Sequence, residues 1–151
     1  MIKNLKMFLL FIIPALLIII SIPINLKAFT LFFVGTPYVL MAFAIAVGAM
    51  LIFLSHTIGY LVKVKSNGSQ YIILLSSIAV ISIIYLLALM RQKLADVQQS
   101  TGTLNDLIAK GVNFKEGFFT LLGTEGLISL ILNIAIVVTA IVSYYLLSKK
   151  V

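Results

Sequence analysis

The chain has 151 residues, 62% of them hydrophobic and 10% charged, with a mean hydropathy of +1.23. Soluble domains run at roughly 45–50% apolar and 25% charged, so a soluble fold of this size is excluded and lipid is the expected solvent. The net charge is +7 and there is no cysteine. The lysines stand at the ends of apolar runs, which points to lipid headgroups rather than nucleic acid, and disulfides, thiol chemistry and thiolate metal sites are excluded.

Four apolar segments, 7–24, 37–62, 71–90 and 127–147, contain no Asp, Glu, Lys or Arg. Each is close to or above the ~20 residues that cross a ~30 Å hydrocarbon core as a helix. Their hydrophobicity is continuous rather than alternating, which argues against strands. The expected fold is an all-α integral membrane protein. It forms a single domain over 1–151, a compact bundle of four transmembrane helices, with short interfacial or extramembrane helices between spans 3 and 4.

The first segment follows Lys3 and Lys6 and precedes a weak cleavage signal ending at Ala28. Its apolar core exceeds the ~7–15 residues of a signal peptide, so a retained helix is expected. Pro14 is a candidate kink and Pro23 the expected end. Phe29–Val34 then reads as an aromatic lead-in at the membrane surface, or as a continuation of the second helix through a proline kink. Thr36 and Pro37 are a cap and a first helical residue. Between spans 2 and 3, Asn67–Ser69 reads as a tight turn rather than a glycosylation acceptor.

All four acidic residues lie in the 91–126 connection. Its first part can extend the third helix, with Leu94, Val97, Leu104 and Ile108 on one face. Thr103–Asp106 and Asn113–Glu116 look like caps of short helices, the second carrying Phe114, Phe118 and Leu122 toward an interface. Thr124 and Glu125 open the last helix, where Glu125 suits the positive end of the helix dipole. An even number of spans puts both termini on one side with six lysines, against five basic residues on the other. That favours cytoplasmic termini.

Candidate contact residues lie on two helices. In the second, Ala42, Ala46, Ala49, His56 and Gly59 form a narrow face, with Ala44 and Gly48 as a small-xxx-small pair beside it; these read as packing within the bundle or between copies. In the fourth, Gly126, Ser129, Asn133, Ala140 and Ser143 form a stripe. Asn133, roughly 10 Å into the helix, needs a polar partner: Ser76, Ser77, Ser82, Tyr85 or its own counterpart in another copy. The alternative for Asn133 is a contact with a transported solute or ion. His56 lies ~29 Å along its helix, at the rim of the hydrocarbon. It is expected to bond headgroup, water, Ser55 or Thr57.

No span holds an acid or a second histidine, so neither a proton pathway nor a single-chain metal site is indicated, and no cofactor is expected. The glutamate of small multidrug transporters, the cysteine pairs of disulfide–quinone oxidoreductases and the embedded Arg and Glu pattern of glutathione-handling enzymes are all missing. The favoured function is a non-enzymatic subunit or scaffold packing against other membrane proteins or copies of itself. A homo-oligomeric channel or transporter lined by Asn133, Tyr85 and serines is the alternative. A membrane enzyme using Asp96, Asp106, Glu116 and His56 comes last, because four spans put His56 on the opposite side from the acids.

Overall fold

A computed structural model describes residues 2–29, 36–65, 68–99 and 122–147. These form four helices: α1 (Ile2–Phe29), α2 (Pro37–Val64), α3 (Ser69–Gln99) and α4 (Thr124–Leu147). All four are long and apolar enough to cross a membrane. They pack as an up-down-up-down bundle in which each helix touches the other three. One end of the bundle holds the starts of α1 and α3 and the ends of α2 and α4. The short caps read at Thr103–Asp106 and Asn113–Glu116 lie outside the described residues.

Helix α1 corrects the expected stop at Pro23. Both Pro14 and Pro23 sit inside it. A proline removes one backbone donor and crowds the carbonyl four residues back, but that does not end a helix whose flanking turns have something to pack on. Ser21, Asn25, Ala28 and Phe29 continue the buried face begun by Leu17, and this face lies on α2. Phe29 therefore closes α1 rather than opening a lead-in, with its ring 6.0 Å from that of Phe43.

Helix α2 starts at Pro37 as its signals require, although Thr36 makes no side-chain cap bond. The Thr36 carbonyl instead accepts from Val39 and Leu40. Between α2 and α3, Lys65 at φ 49° and Gly68 at φ 88° have positive φ among the described residues; Asn67 of the expected tight turn lies outside them. Helix α3 runs beyond its apolar segment to Gln99. Its last turns meet the start of α4, where Arg91 Nη2 lies 3.0 Å from Glu125 Oε2. Gln92 Oε1 accepts from the Gly126 amide at 2.9 Å, a cap for α4 supplied by another helix.

The main core joins Ala28, Phe29, Ala44, Leu51, Ile58, Val80, Ile84, Leu87 and Val137. A second cluster brings Leu17 of α1 onto Ile52, Ile136 and Ala140.

Candidate functional site

The polar groups inside the bundle come from all four helices, with Ser69 and Ser76 the buried ones on α3. On α1, Ser21 and Asn25 are one helical turn apart, 1% and 0% exposed. On α4, Ser129 and Asn133 repeat that spacing and are both 0% exposed. On α2, the buried face is Ala44, Gly48, Leu51, Ile52, Ser55, Ile58 and Gly59.

Register sets Asn25 level with Ser129, within about one helical turn of Asn133. A Cβ added to Gly48 would overlap Ser21 Oγ, and Phe29 meets Phe43, so Asn25 falls between these contacts, opposite the buried Ala44. Leu17 packs against Ile136 and Ala140. Eight residues further along α1 is about 12 Å. The same distance back along the antiparallel α4 ends between Ile128 and Leu132, at the level of Ser129. Gly48 is what permits this: its missing side chain lets α1 approach closely enough to enclose Ser21 and Asn25.

The serines spend their protons locally. Ser21 Oγ donates to the Ile18 carbonyl at 2.7 Å, and Ser55 Oγ to the Leu51 carbonyl at 2.6 Å. Asn133 Nδ2 donates to the Ser129 carbonyl at 2.9 Å and lies 3.5 Å from Ser129 Oγ. Asn133 Oδ1 and both amide atoms of Asn25 have no partner. An unpartnered buried polar atom costs on the order of 1–3 kcal/mol, and among the described residues these three are the buried side-chain atoms without a partner. This polar layer holds donors and acceptors but no titratable group.

Asn133 thus bonds within its own helix rather than to α3. Ser76 is buried, Ser77 half-buried and Ser82 on the outside. Tyr85 is buried with Ala88 and Leu122 and gives nothing to the Asn133 amide. Gly126 is buried against α3: a Cβ there would lie 3.1 Å from the Ala88 carbonyl. Ser143 is half-buried and donates to the Ala140 carbonyl at 3.1 Å. Of the α2 residues, Ala44 and Gly48 face inward, Ala49 is half-buried, and Ala42 and Ala46 face outward. The buried face of α2 carries Gly48, which meets Ser21 of α1, and Gly59, which meets Ile141 of α4.

His56 is half-buried with its ring 4.7 Å from that of Tyr144. The expected hydroxyl partners are engaged elsewhere: Ser55 bonds Leu51, and Thr57 Oγ1 donates to the Phe53 carbonyl at 3.0 Å. Lys63 Nζ donates to the Tyr145 carbonyl at 2.9 Å, so α2 and α4 are joined at this end through His56–Tyr144 and Lys63–Tyr145. Among the described residues no group of His, Cys, Asp or Glu could hold a metal ion.

Asn25 is the functional candidate that sequence reasoning missed. Ending α1 at Pro23 put it outside the span. The signal was present, since Leu17, Ser21, Asn25 and Ala28 recur at helical spacing across the proline. No family model, curated protein or solved structure matches the chain.

Proposed function

We propose that this chain is a multi-pass integral membrane protein, with both termini cytoplasmic, that acts as a non-enzymatic subunit or scaffold for other membrane proteins. The observation that carries this reading is the inward placement of its polar groups. Ser21, Asn25, Ser55, Ser129 and Asn133 are each at most 1% exposed. The outside offers large apolar side chains such as Phe11, Phe53 and Leu75, beside the small Ala42 and Ala46. Such a surface recognises neighbours in lipid by shape, and small residues let a partner helix come close.

The channel or transporter reading draws on the unpartnered amide atoms of Asn25 and Asn133, which a polar solute could satisfy. A pathway needs those groups wet, and their complete enclosure favours the scaffold.

Purification from native membranes in mild detergent separates the two. The scaffold reading expects a foreign membrane protein at fixed stoichiometry, lost when Ala46→Phe adds bulk to the outer face of α2. A homogeneous homo-oligomer that conducts ions in bilayers would overturn it.

A further inference from the structure

Where α2 hands over to α3, the surface forms a cavity of about 460 Å³. Leu61, Val62 and Ile73 give it apolar walls, and Lys65, Ser69 and Gln70 give it polar ones. Ser69, the first residue of α3, is only 4% exposed, and its hydroxyl makes no hydrogen bond to the described residues. Helix α3 has 31 residues and no acid in its first turn. Its free amides and dipole therefore present positive potential that nothing within that turn neutralises. Lys65 is exposed at the rim, held in the left-handed conformation that ends α2. Gly68 has open space beside its α-carbon.

A helix start alone would not distinguish this place from others. The distinguishing feature is a serine only 4% exposed, its hydroxyl free of hydrogen bonds to the described residues, that lines a cavity with a cation at its mouth and hydrocarbon on its walls. A phosphate ester attached to an apolar body matches all three.

We propose that this cavity binds a phosphate group, carried by the headgroup of an anionic phospholipid. Lys65 supplies the countercharge, and the Ser69 hydroxyl and the Ser69 and Gln70 amides donate to the phosphate oxygens, the Tyr71 amide being bonded to the Gly68 carbonyl. Leu61, Val62 and Ile73 lie against the glycerol and first acyl carbons. The lipid source rests on the membrane reading above; the phosphate chemistry does not.

The test uses the full chain in nanodiscs of phosphatidylcholine containing a minor fraction of phosphatidylglycerol, with retained lipids read by native mass spectrometry. The wild type should retain phosphatidylglycerol preferentially. Lys65→Gln should cut that preference by about fivefold, the effect of one lysine at an anionic surface. Ser69→Ala should also lower it, whereas Lys6→Gln, an exposed lysine at the same end of the bundle, should leave it unchanged. In discs lacking anionic lipid, glycerol 3-phosphate is added and thermal stability measured. Protection of the wild type but not of Lys65→Gln, without phosphatidylglycerol retention, keeps the phosphate site and moves its source to a soluble ester. Absence of both effects, or equal loss with Lys6→Gln, overturns the site. Carbonate washing of membranes carrying each variant separates the two readings. A chain that stays in the pellet without lipid preference removes only the lipid site, and a chain that is released removes the membrane reading too.

Discussion

Gly48→Ala probes the contact that encloses the polar layer. Its Cβ would overlap Ser21 Oγ, and Ser21 is 1% exposed. The hydroxyl can rotate away, giving up its bond to Ile18 at about 1 kcal/mol. Otherwise α1 must back off, and overpacking of this kind costs about 1–3 kcal/mol. Alanine is favoured over glycine inside a helix by about 1 kcal/mol, so the expected net loss is roughly 0–2 kcal/mol. In a Ser21→Ala background the overlap vanishes. The next neighbour, the Cβ of residue 21, lies 3.5 Å away, an ordinary contact. The same Gly48→Ala change should then be neutral or stabilising, a coupling of about 2 kcal/mol. The chain has no tryptophan and no cysteine, so dyes on Lys6→Cys and Gln70→Cys, exposed at the same end of the bundle, can report unfolding. The readout is energy transfer as dodecyl sulfate replaces a mild detergent. If Gly48→Ala is stabilising with Ser21 in place, or if the two changes are additive, the close approach of α1 and α2 is wrong.

Gly59→Ala should lower the same midpoint by about 1–3 kcal/mol, because its Cβ would lie 2.9 Å from the Ile141 carbonyl oxygen, a backbone atom that no rotamer change can move. Asn25→Ala should be neutral or stabilising in purified protein, since it removes two unpartnered atoms; a loss above about 2 kcal/mol would mean that the amide has a partner. Gln92→Ala should cost about 1 kcal/mol through the loss of the α4 cap. Arg91→Gln should cost less than about 1 kcal/mol, because Glu125 is 44% exposed and the pair is screened. Both are read from the same detergent titration.

The helices themselves were legible because continuous apolar runs of this length leave few alternatives. The starts of α2 at Pro37 and of α4 at Thr124 were legible from local residue types, although Thr36 makes no side-chain cap bond and the α4 cap comes from Gln92. The end of α1 was not: a proline reads as a stop when only its own backbone is considered, and the turns beyond it are held by packing on α2. That one boundary hid Asn25. The polar stripe of α4 was visible as a spacing, but its bonding was not, because an asparagine amide can return to its own helix as easily as cross to another. On α2, alanine and glycine appear on two faces, and composition cannot say which one the bundle uses. Arg91–Glu125 and Gln92–Gly126 are each 34 positions apart, so only the α3–α4 pairing reveals them.

The reading of this chain as a packing partner rather than a conduit depends on a dry interior. Labelling with a membrane-impermeant maleimide tests this in sealed vesicles of either orientation, using single cysteines at Gln70, Thr124 and Asn133. Gln70 and Thr124 are exposed at opposite ends of the bundle, and Asn133 is enclosed. The account predicts that Gln70→Cys and Thr124→Cys react from opposite sides and that Asn133→Cys reacts from neither. Reaction of Gln70→Cys and Thr124→Cys from one side would contradict the four-span arrangement, and reaction of Asn133→Cys from either side would reveal a water-filled path through the polar layer.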